Sequence, residues 1–590
     1  MKSKIIAILT LFAVPLLYYY CDETATILLT ALAGSGLAIY SLLEQTKISL
    51  KPTKLLYAML VCIFLWFLTV GNSVFNSVSL YASIPALIKL CLLLLITYSV
   101  CQELSINKDN FICFYRIGAL AGYLQGCITI IEYIQAPPIP PTWLDPASKE
   151  LFRTRCCGIM TDPNINAAFL SVLFILTIAL IIKSDIKFER ICASLSLIFC
   201  GTGIMTTLSR GGWIALFAAL VALAISMYIA KYKLQTFHIR LLSITAVILL
   251  VIFFAGPFKY RLFSITKPSD MTFYQRTLIN RGIFGSINKL PFWGHGLSTF
   301  WQVYPYYRIV GGDYPFYAHN EYLQSMIETG FISTFLLIIL TLGLMYITYI
   351  SAKQNKFDNL VFSSIFISLL IQNLSGFSSR IFPTSVLIAI SVGGILASQL
   401  NINNSKNLKN NNKKLLNAII LVFVVFVLIG SYHQFTIQKE LNQANKLISE
   451  TKNLSEAEKI LEKIIEQQPN NSSAANILGM LQLLTKRPEK AAETWAKALE
   501  HNKFEAVFPI NLARLYSDSD ANKADFYYKK VLELDSASEN FRLEYSKFLI
   551  KQNRKSEAKE ILEKGLTYSP GFHNVYTGFQ EMENLIKSLQ

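Results

Sequence analysis

Charged residues are scarce in this chain. Only 16% of its 590 residues are charged, whereas 53% are hydrophobic and 13% are aromatic. So much apolar surface exceeds what one soluble core can bury, which excludes an ordinary soluble globular protein and indicates an integral membrane protein. The formal net charge of +16 would otherwise favour nucleic-acid binding. A multi-pass protein collects Lys and Arg in its inner loops, however, so we predict no nucleic-acid partner.

Two further patterns are missing. The ten cysteines are not spaced as zinc ligands, and most of them lie in apolar runs; we interpret the adjacent loop pair Cys156-Cys157 as structural. The outer loops hold no His/Asp group spaced for a metal, so we predict no metal and no cofactor. Ionisable residues are nearly absent from the apolar runs, which argues against a proton-coupled transporter.

Long apolar runs are abundant. Thirteen of them have the length needed to cross the hydrocarbon layer as a helix, ~17 to 25 residues. They lie at about 4–20, 24–43, 55–71, 82–100, 111–134, 164–182, 189–205, 211–230, 239–256, 331–351, 359–375, 382–400 and 415–433. The pattern predicts a polytopic bundle of about 12–13 transmembrane helices within residues 1–434.

The distribution of basic residues predicts the orientation. With the N-terminus in the cytoplasm, the inner segments carry 18 Lys and Arg, whereas the short outer loops carry only Arg210 and Arg380. Two long loops, about 135–163 and 257–330, then lie outside, and loops of this length usually carry function. An odd number of spans puts the C-terminal region outside as well.

From about residue 438 the composition becomes that of a soluble domain with a repeat. Small residues recur at steps of 34, 33 and 34 at Ala457, Ala491, Ala524 and Ala558, and a second set keeps the same step at Gly479, Ala513 and Ser546. This period resembles tetratricopeptide repeats, in which stacked helix pairs form a solenoid. We therefore predict an α-solenoid over residues 438–590; an irregular helical bundle is the alternative.

A few outer polar residues stand out as candidates for chemistry. Arg210 lies in Thr207-Leu-Ser-Arg-Gly-Gly-Trp213 at the outer end of a span, and Arg276 lies in the second long loop. Guanidinium groups bind phosphate bidentately, although either arginine could instead be an interfacial anchor. Of the outer histidines, His295 in Gly294-His-Gly296 fits a tight turn. His319 remains, and its imidazole suits proton transfer from a hydroxyl, although a lone histidine is often structural.

Four motifs in this order resemble the O-antigen ligase superfamily, which includes lipopolysaccharide O-antigen ligases, bacterial protein O-oligosaccharyltransferases and glycan polymerases. The motifs are Arg155-Cys-Cys-Gly-Ile-Met-Thr-Asp-Pro-Asn164; Ser209-Arg-Gly-Gly-Trp213; Arg276 followed by Pro291-Phe-Trp-Gly-His-Gly296; and His319-Asn-Glu-Tyr-Leu-Gln324 with Glu328 and Gly330. They lie within residues 150–400. In the family an aromatic residue often stands four residues after the second arginine, whereas this chain has Asn280 at that position. Arg281 is therefore the alternative to Arg276 as the second arginine.

The resemblance implies a site and a reaction. Arg210 and Arg276 would bind the pyrophosphate of an undecaprenyl-linked glycan, and His319 would be the base or the positioning group for the acceptor hydroxyl. Residues implied to bind substrate are Arg155, Asn164, Arg281, Asn320 and Gln324. The reaction implied is a metal-independent, inverting glycosyl transfer at the outer face of the bacterial inner membrane.

Several functions remain open. The first is transfer of a polyprenyl-diphosphate-linked oligosaccharide or O-antigen en bloc to an acceptor, which is lipid A-core or a protein. Sister activities on the same fold are ligation to a protein Ser or Thr and polymerisation of repeat units. The periplasmic repeats would offer a surface for a protein partner. A transporter, a flippase or a non-catalytic scaffold is the remaining alternative. The predicted fold class is all-α: a polytopic membrane bundle with a large outer loop, followed by a tetratricopeptide-repeat solenoid.

Overall fold

A computed structural model describes residues 2–45, 49–106, 110–138, 154–263, 271–312, 314–403, 410–567 and 577–589. Parts of both predicted outer loops, residues 139–153 and 264–270, lie outside the described residues.

The membrane part is built of helices in the predicted order. Up to the second long loop these are α1 (Lys2–Ile8), α2 (Val14–Tyr20), α3 (Glu23–Gln45), α4 (Lys54–Phe75), α5 (Leu80–Ile106), α6 (Phe111–Gln135), α7 (Pro163–Lys183), α8 (Lys187–Thr206), α9 (Arg210–Ile229) and α10 (Thr236–Ala255). A π-helical turn, Leu9–Ala13, joins α1 and α2 into one span. The second loop contains α11 (Phe258–Phe263), α12 (Met271–Gly285) and α13 (Phe300–Tyr307). The bundle ends with α14 (Glu321–Lys353), α15 (Phe357–Asn373), α16 (Phe382–Ala397) and α17 (Asn410–Lys446).

These helices account for the predicted spans. In the described ranges, 11 helices are long and apolar enough to cross a membrane, and α15 and α16 are shorter apolar helices at two further predicted spans. Together these helices correspond to the thirteen predicted spans. The predicted all-α, multi-pass architecture is confirmed, with one small addition: strands β1 (Ser49–Pro52) and β2 (Leu400–Asn403) pair antiparallel between two connecting segments. The apolar window of α7 is entirely buried, so this helix forms the centre of the bundle.

Helix α14 is interrupted at Gly330, in its N-terminal third. Gly330 has φ 85°, a conformation that glycine adopts without steric penalty. Amide groups of the preceding Pro291–Gly296 turn bind carbonyls at the break: His295 N donates to Ile327 O at 2.9 Å and Gly296 N donates to Glu328 O at 2.8 Å. The broken helix therefore regains backbone hydrogen bonds from the loop that precedes it.

The C-terminal region forms stacked helices with the predicted period. They are α18 (Leu454–Gln467), α19 (Ser472–Leu484), α20 (Pro488–His501), α21 (Val507–Tyr516), α22 (Ala521–Leu534), α23 (Glu539–Lys551), α24 (Lys555–Thr567) and α25 (Thr577–Ser588). The four alanines at the repeating position are all fully buried. A Cβ on Gly479 would meet Trp495 Nε1 at 2.2 Å, which explains a small residue where paired helices cross. Helix α17 runs without interruption from the last span into this solenoid.

The break at Gly330 generates a prediction about stability. In Gly330→Ala the new Cβ would lie 2.3 Å from Phe292 O, and an L-residue would be forced to a positive φ. We expect a loss of ~1–3 kcal/mol of stability, the usual cost of such strain. Thermal unfolding in detergent measures it. Gly285→Ala is the matched control, because nothing lies within 4 Å of its Cβ position; equal stability losses in the two variants would refute this account of the break.

Candidate active site

Three helix N-termini, those of α7, α9 and α14, meet at one end of the bundle, and each is capped by a side chain. Asp162 caps α7 by accepting from the backbone N of Asn164 at 2.7 Å. Ser209 caps α9 by accepting from Gly212 N at 3.3 Å, and Asn320 caps α14 by accepting from Tyr322 N at 3.1 Å. Helix N-termini carry partial positive charge, so their convergence favours an anionic ligand.

A small pocket of about 30 Å³ lies between these helix ends. Its lining combines residues from five parts of the chain: Asn164, Ile165, Ser209, Gly211, Gly212, Arg276, His319, Gln372, Ser375, Gly376, Phe377 and Ser378. Three of the predicted site residues, Asn164, Arg276 and His319, are therefore brought together. They come from separate motifs, 112 and 43 residues apart along the chain.

The first two motifs are joined by hydrogen bonds. Arg155 Nη2 donates to Asn164 Oδ1 at 3.4 Å, and the same oxygen accepts from the Ser209 hydroxyl at 2.9 Å. Arg155 Nε also donates to Thr207 O at 3.4 Å. Asn164 thus connects Arg155 to the turn that carries Arg210.

Four arginines form a positive cluster beside the pocket. Burial lowers the pKa of Arg155 to about 10; the charges of Arg261, Arg276 and Arg210 act in the same direction, and Asp162 opposes them. Arg261 is buried in α11, and its Nε donates to Leu208 O at 3.3 Å. A region where arginines repel one another is suited to bind an anion with several negative oxygens.

His319 lies at the edge of this cluster. Burial, together with the positive charge of Arg276, lowers the pKa of His319 to about 3, so its imidazole is neutral at physiological pH. Its ring contacts Phe377 edge-on, with centroids 5.2 Å apart. The Nδ1 atom is buried and has no hydrogen-bond partner within the described part of the chain. A neutral imidazole with an unengaged ring nitrogen can accept a proton or orient a hydroxyl.

Two other predicted residues support His319 rather than line the pocket. His319 itself has φ 54°, and the next residue, Asn320, begins α14 as its cap. Gln324 Oε1 accepts from Ala318 N at 3.0 Å, and Gln324 Nε2 donates to Glu328 Oε1 at 2.9 Å. Asn320 and Gln324 therefore hold the backbone on both sides of His319.

Arg281 is placed differently from Arg276 on α12. It is exposed and does not line the small pocket, whereas Arg276 does. Five residues of helix turn the side chain ~140° away from that of Arg276. The structure thus brings Arg276, and not Arg281, to His319.

An ion-pair network beside the pocket was not anticipated as part of the site. Arg380 binds Glu321 at 2.6 Å and the fully buried Glu328 at 2.8 Å. Glu328 Oε1 in turn accepts from Phe300 N at 3.3 Å. Arg261 was also missed. The sequence signal for both arginines was their predicted position in outer loops, where the positive-inside rule disfavours a cation.

A second, much larger cavity of about 730 Å³ lies on the other side of the α15–α16 turn. Its lining is mostly apolar and comes largely from α3, α4, α5, α14, α15, α16 and α17, with further residues from the second long loop and the start of α19. Along α5 it extends from Tyr81 to Thr97, a depth of ~24 Å. Charged residues line it as well: Glu23, Lys89, Glu321 and Arg380. Tyr317, which lines this cavity, stacks on Phe377 of the small pocket at 4.8 Å, so the two spaces are neighbours.

The family model described as O-Antigen ligase matches residues 195–338. This match confirms the predicted resemblance to the O-antigen ligase superfamily. The matched range contains Arg210, Arg276 and His319, whereas Arg155 and Asn164 precede it. This similarity supports a membrane glycosyl-transferring function of the ligase or polymerase kind.

Other comparisons are less informative. No curated protein matches the chain. Among solved structures, the crystal structure of MamA protein is similar at 17% identity over 26% of this chain and 86% of that chain, with a TM-score of 0.21.

The lowered pKa of His319 generates a prediction about pH. Above about pH 6.5 the histidine is neutral in both folded and unfolded chains, so it has no effect on stability there. Below that pH the histidine becomes protonated in the unfolded chain, whereas in the folded chain it stays neutral down to about pH 3. Protonation therefore favours the unfolded chain. When the pH is lowered from 7.5 to 5, the unmodified protein should lose stability through this histidine. We expect the loss in His319→Gln to be smaller by ~1–2 kcal/mol. Unfolding midpoints at both pH values test this, with the exposed His501→Gln as control; identical pH responses of all three proteins would contradict it.

Proposed function

We propose that this ligase-family protein transfers an undecaprenyl-diphosphate-linked oligosaccharide to an acceptor hydroxyl at the outer, periplasmic face of the bacterial inner membrane. The observation that carries the proposal is the neutral His319, with its unengaged Nδ1, beside Arg276 in a pocket of converging helix N-termini. A base for the acceptor and a cationic site for the leaving group are the two elements that such a transfer needs.

The residues of the pocket have different roles in a single displacement reaction. The acceptor oxygen attacks the anomeric carbon from the face opposite the diphosphate, so the new glycosidic bond forms as the carbon–oxygen bond to phosphate breaks. His319 takes or directs the proton of the acceptor hydroxyl. Arg210 and Arg276, supported by Arg155 and the helix ends, hold the negative charge that develops on the departing undecaprenyl diphosphate. The configuration at the anomeric carbon is inverted.

The large cavity supports a lipid-linked substrate. It is mostly apolar and reaches ~24 Å along α5, which is most of the thickness of a hydrocarbon layer. Lys89 and Arg380 are among its charged lining residues, and the Phe377–Tyr317 stack separates it from the small pocket. An isoprenoid or acyl chain in this cavity would keep the head of the lipid next to His319.

The acceptor that we favour is lipid A-core. Ligation to a protein hydroxyl and polymerisation of repeat units use the same chemistry, and they remain the alternatives on this fold. Arg281, being exposed on α12, would contact at most the distal part of the glycan.

Substitutions in the pocket test the reaction. We expect Arg210→Ala, Arg276→Ala and His319→Ala each to lower transfer by about 10²–10³-fold, the cost of removing one preorganised group. The assay follows transfer from undecaprenyl-diphosphate-linked glycan in purified, reconstituted protein. Arg281→Ala is the matched control on the same helix and should retain activity within about threefold. Normal transfer by both Arg210→Ala and His319→Ala, in folded protein, would exclude this site.

A deletion in the producing bacterium names the acceptor. We expect the lipopolysaccharide ladder to be lost on gels while glycoprotein staining is unchanged, because the glycan no longer reaches lipid A-core. Re-expression of the unmodified chain should restore the ladder, and re-expression of His319→Ala should not. Loss of glycoprotein staining with an intact ladder would instead identify a protein acceptor.

A further inference from the structure

The solenoid is docked onto the outer loop that carries the candidate active site. Phe504, which follows α20, contacts the ring of His295 at 5.2 Å and that of Tyr306 at 6.0 Å. The adjacent Glu505 accepts a hydrogen bond from Gln302 Nε2 at 2.7 Å. Loop residue Val310 packs against a buried cluster of the last repeats, made of Leu543, Leu562, Phe579 and Met582.

An ion pair lies within this interface. Arg308 Nη2 donates to both carboxylate oxygens of Asp535, at 2.8 and 2.9 Å. The two side chains are only 8% and 3% exposed. Burial raises the pKa of Asp535, and Arg308 opposes that shift. Such a buried pair contributes only when both partners are present, because removing one leaves a desolvated charge behind.

A continuous set of contacts leads from the interface to His319. The ring of His295 touches Phe504 and its Nε2 lies 2.7 Å from the Tyr307 hydroxyl, while its backbone N donates to Ile327 O at the break in α14. One residue further, Glu328 binds Gln324, which in turn holds the backbone N of Ala318, directly before His319. The solenoid thus touches the turn that supports the strained backbone at His319.

The solenoid also contributes to the large cavity. Gln434, Gln438 and Leu441 of α17 and Asn471, Ser472 and Ser473 at the start of α19 are among the lining residues. With its amide oriented so that the oxygen faces α5, Asn470 accepts from the backbone N of Leu80 and Tyr81 at 3.1 Å each. A residue of the first repeat therefore caps a membrane helix that lines the cavity.

We propose that the solenoid is an internal positioning domain of the active site, and that Arg308 and Asp535 are the positioning residues that lock it to the outer loop. The face of the solenoid that carries Phe504 and Asp535 binds the chain's own loop, residues 291–312, and not a recruited protein. The consequence for catalysis rests on the proposed function. Through the His295 turn, docking holds His319 and the break in α14 in the geometry that transfer requires.

Charge reversal tests the lock in the full-length protein in nanodiscs. Arg308→Asp alone and Asp535→Arg alone should each increase hydrogen exchange in residues 316–330. Each should also lower kcat by about tenfold with little change in KM. A tenfold effect lies within the range of coupling energies measured between residues in contact. The double reversal restores an ion pair, so it should recover both exchange protection and kcat to within about threefold. Transfer is measured with undecaprenyl-diphosphate-linked glycan extracted from the producing strain.

The control is another arginine–carboxylate pair, which lies inside the solenoid. Arg514 and Glu544 are 2.8 Å apart and 55% and 30% exposed, so reversing either should leave exchange in residues 316–330 and kcat unchanged. Unaltered exchange and kcat in the Arg308→Asp and Asp535→Arg variants would overturn the proposal. So would losses that the double reversal does not repair. Because the exchange measurement needs no substrate, it decides the positioning role even if the proposed transfer reaction fails.

Discussion

The backbone hydrogen bonds between the turn at residues 291–296 and the break in α14 organise this end of the protein. A membrane helix normally satisfies its own amides and carbonyls, and an unsatisfied group at this depth is costly. Here Gly330 interrupts the helix, and the turn at residues 291–296 supplies amide donors to Ile327 O and Glu328 O. The interruption is thereby tied to a second segment of the loop. His319, Arg380 and Phe300 are then positioned by contacts with the short outer piece of α14 that the break creates.

The outer arginines fall into two electrostatic classes. Arg380 faces Glu321 and Glu328, so its charge is balanced inside the protein and stabilises the architecture. Arg155, in contrast, is influenced by three further arginines and Asp162, and its pKa is lowered. A protein tolerates such mutual repulsion at the expense of stability, which an incoming anion would relieve. The convergence of three helix N-termini on the same pocket acts in the same direction. This difference in environment distinguishes Arg380 from the four arginines beside the small pocket.

Features that depend on local pattern were predictable. Apolar length set the spans, because the hydrocarbon thickness requires a minimum number of helical residues. The recurring small residues predicted the solenoid, because paired helices cross closely at Gly479 and the equivalent positions. The hydrogen-bonded link of Arg155, Asn164 and Ser209, by contrast, depends on how two spans pack, and motif order alone did not contain it. The roles of Arg261 and Arg380 were hidden for the same reason, since their partners lie far away in sequence and only three-dimensional packing brings them close.

The continuity of α17 changes the interpretation of the repeats. A solenoid on a flexible linker would search for protein partners independently of the membrane domain. Here a single helix of 37 residues, ~55 Å long, runs from the membrane into the first repeat, so the solenoid's orientation is set by the last span. Contacts at both ends then fix it further: Asn470 at α5 and Asp535 at Arg308. A domain held at three places has little freedom to act as a mobile recruiter. Through Phe504, Glu505 and Asp535, its inward surface contacts the loop at residues 295–308.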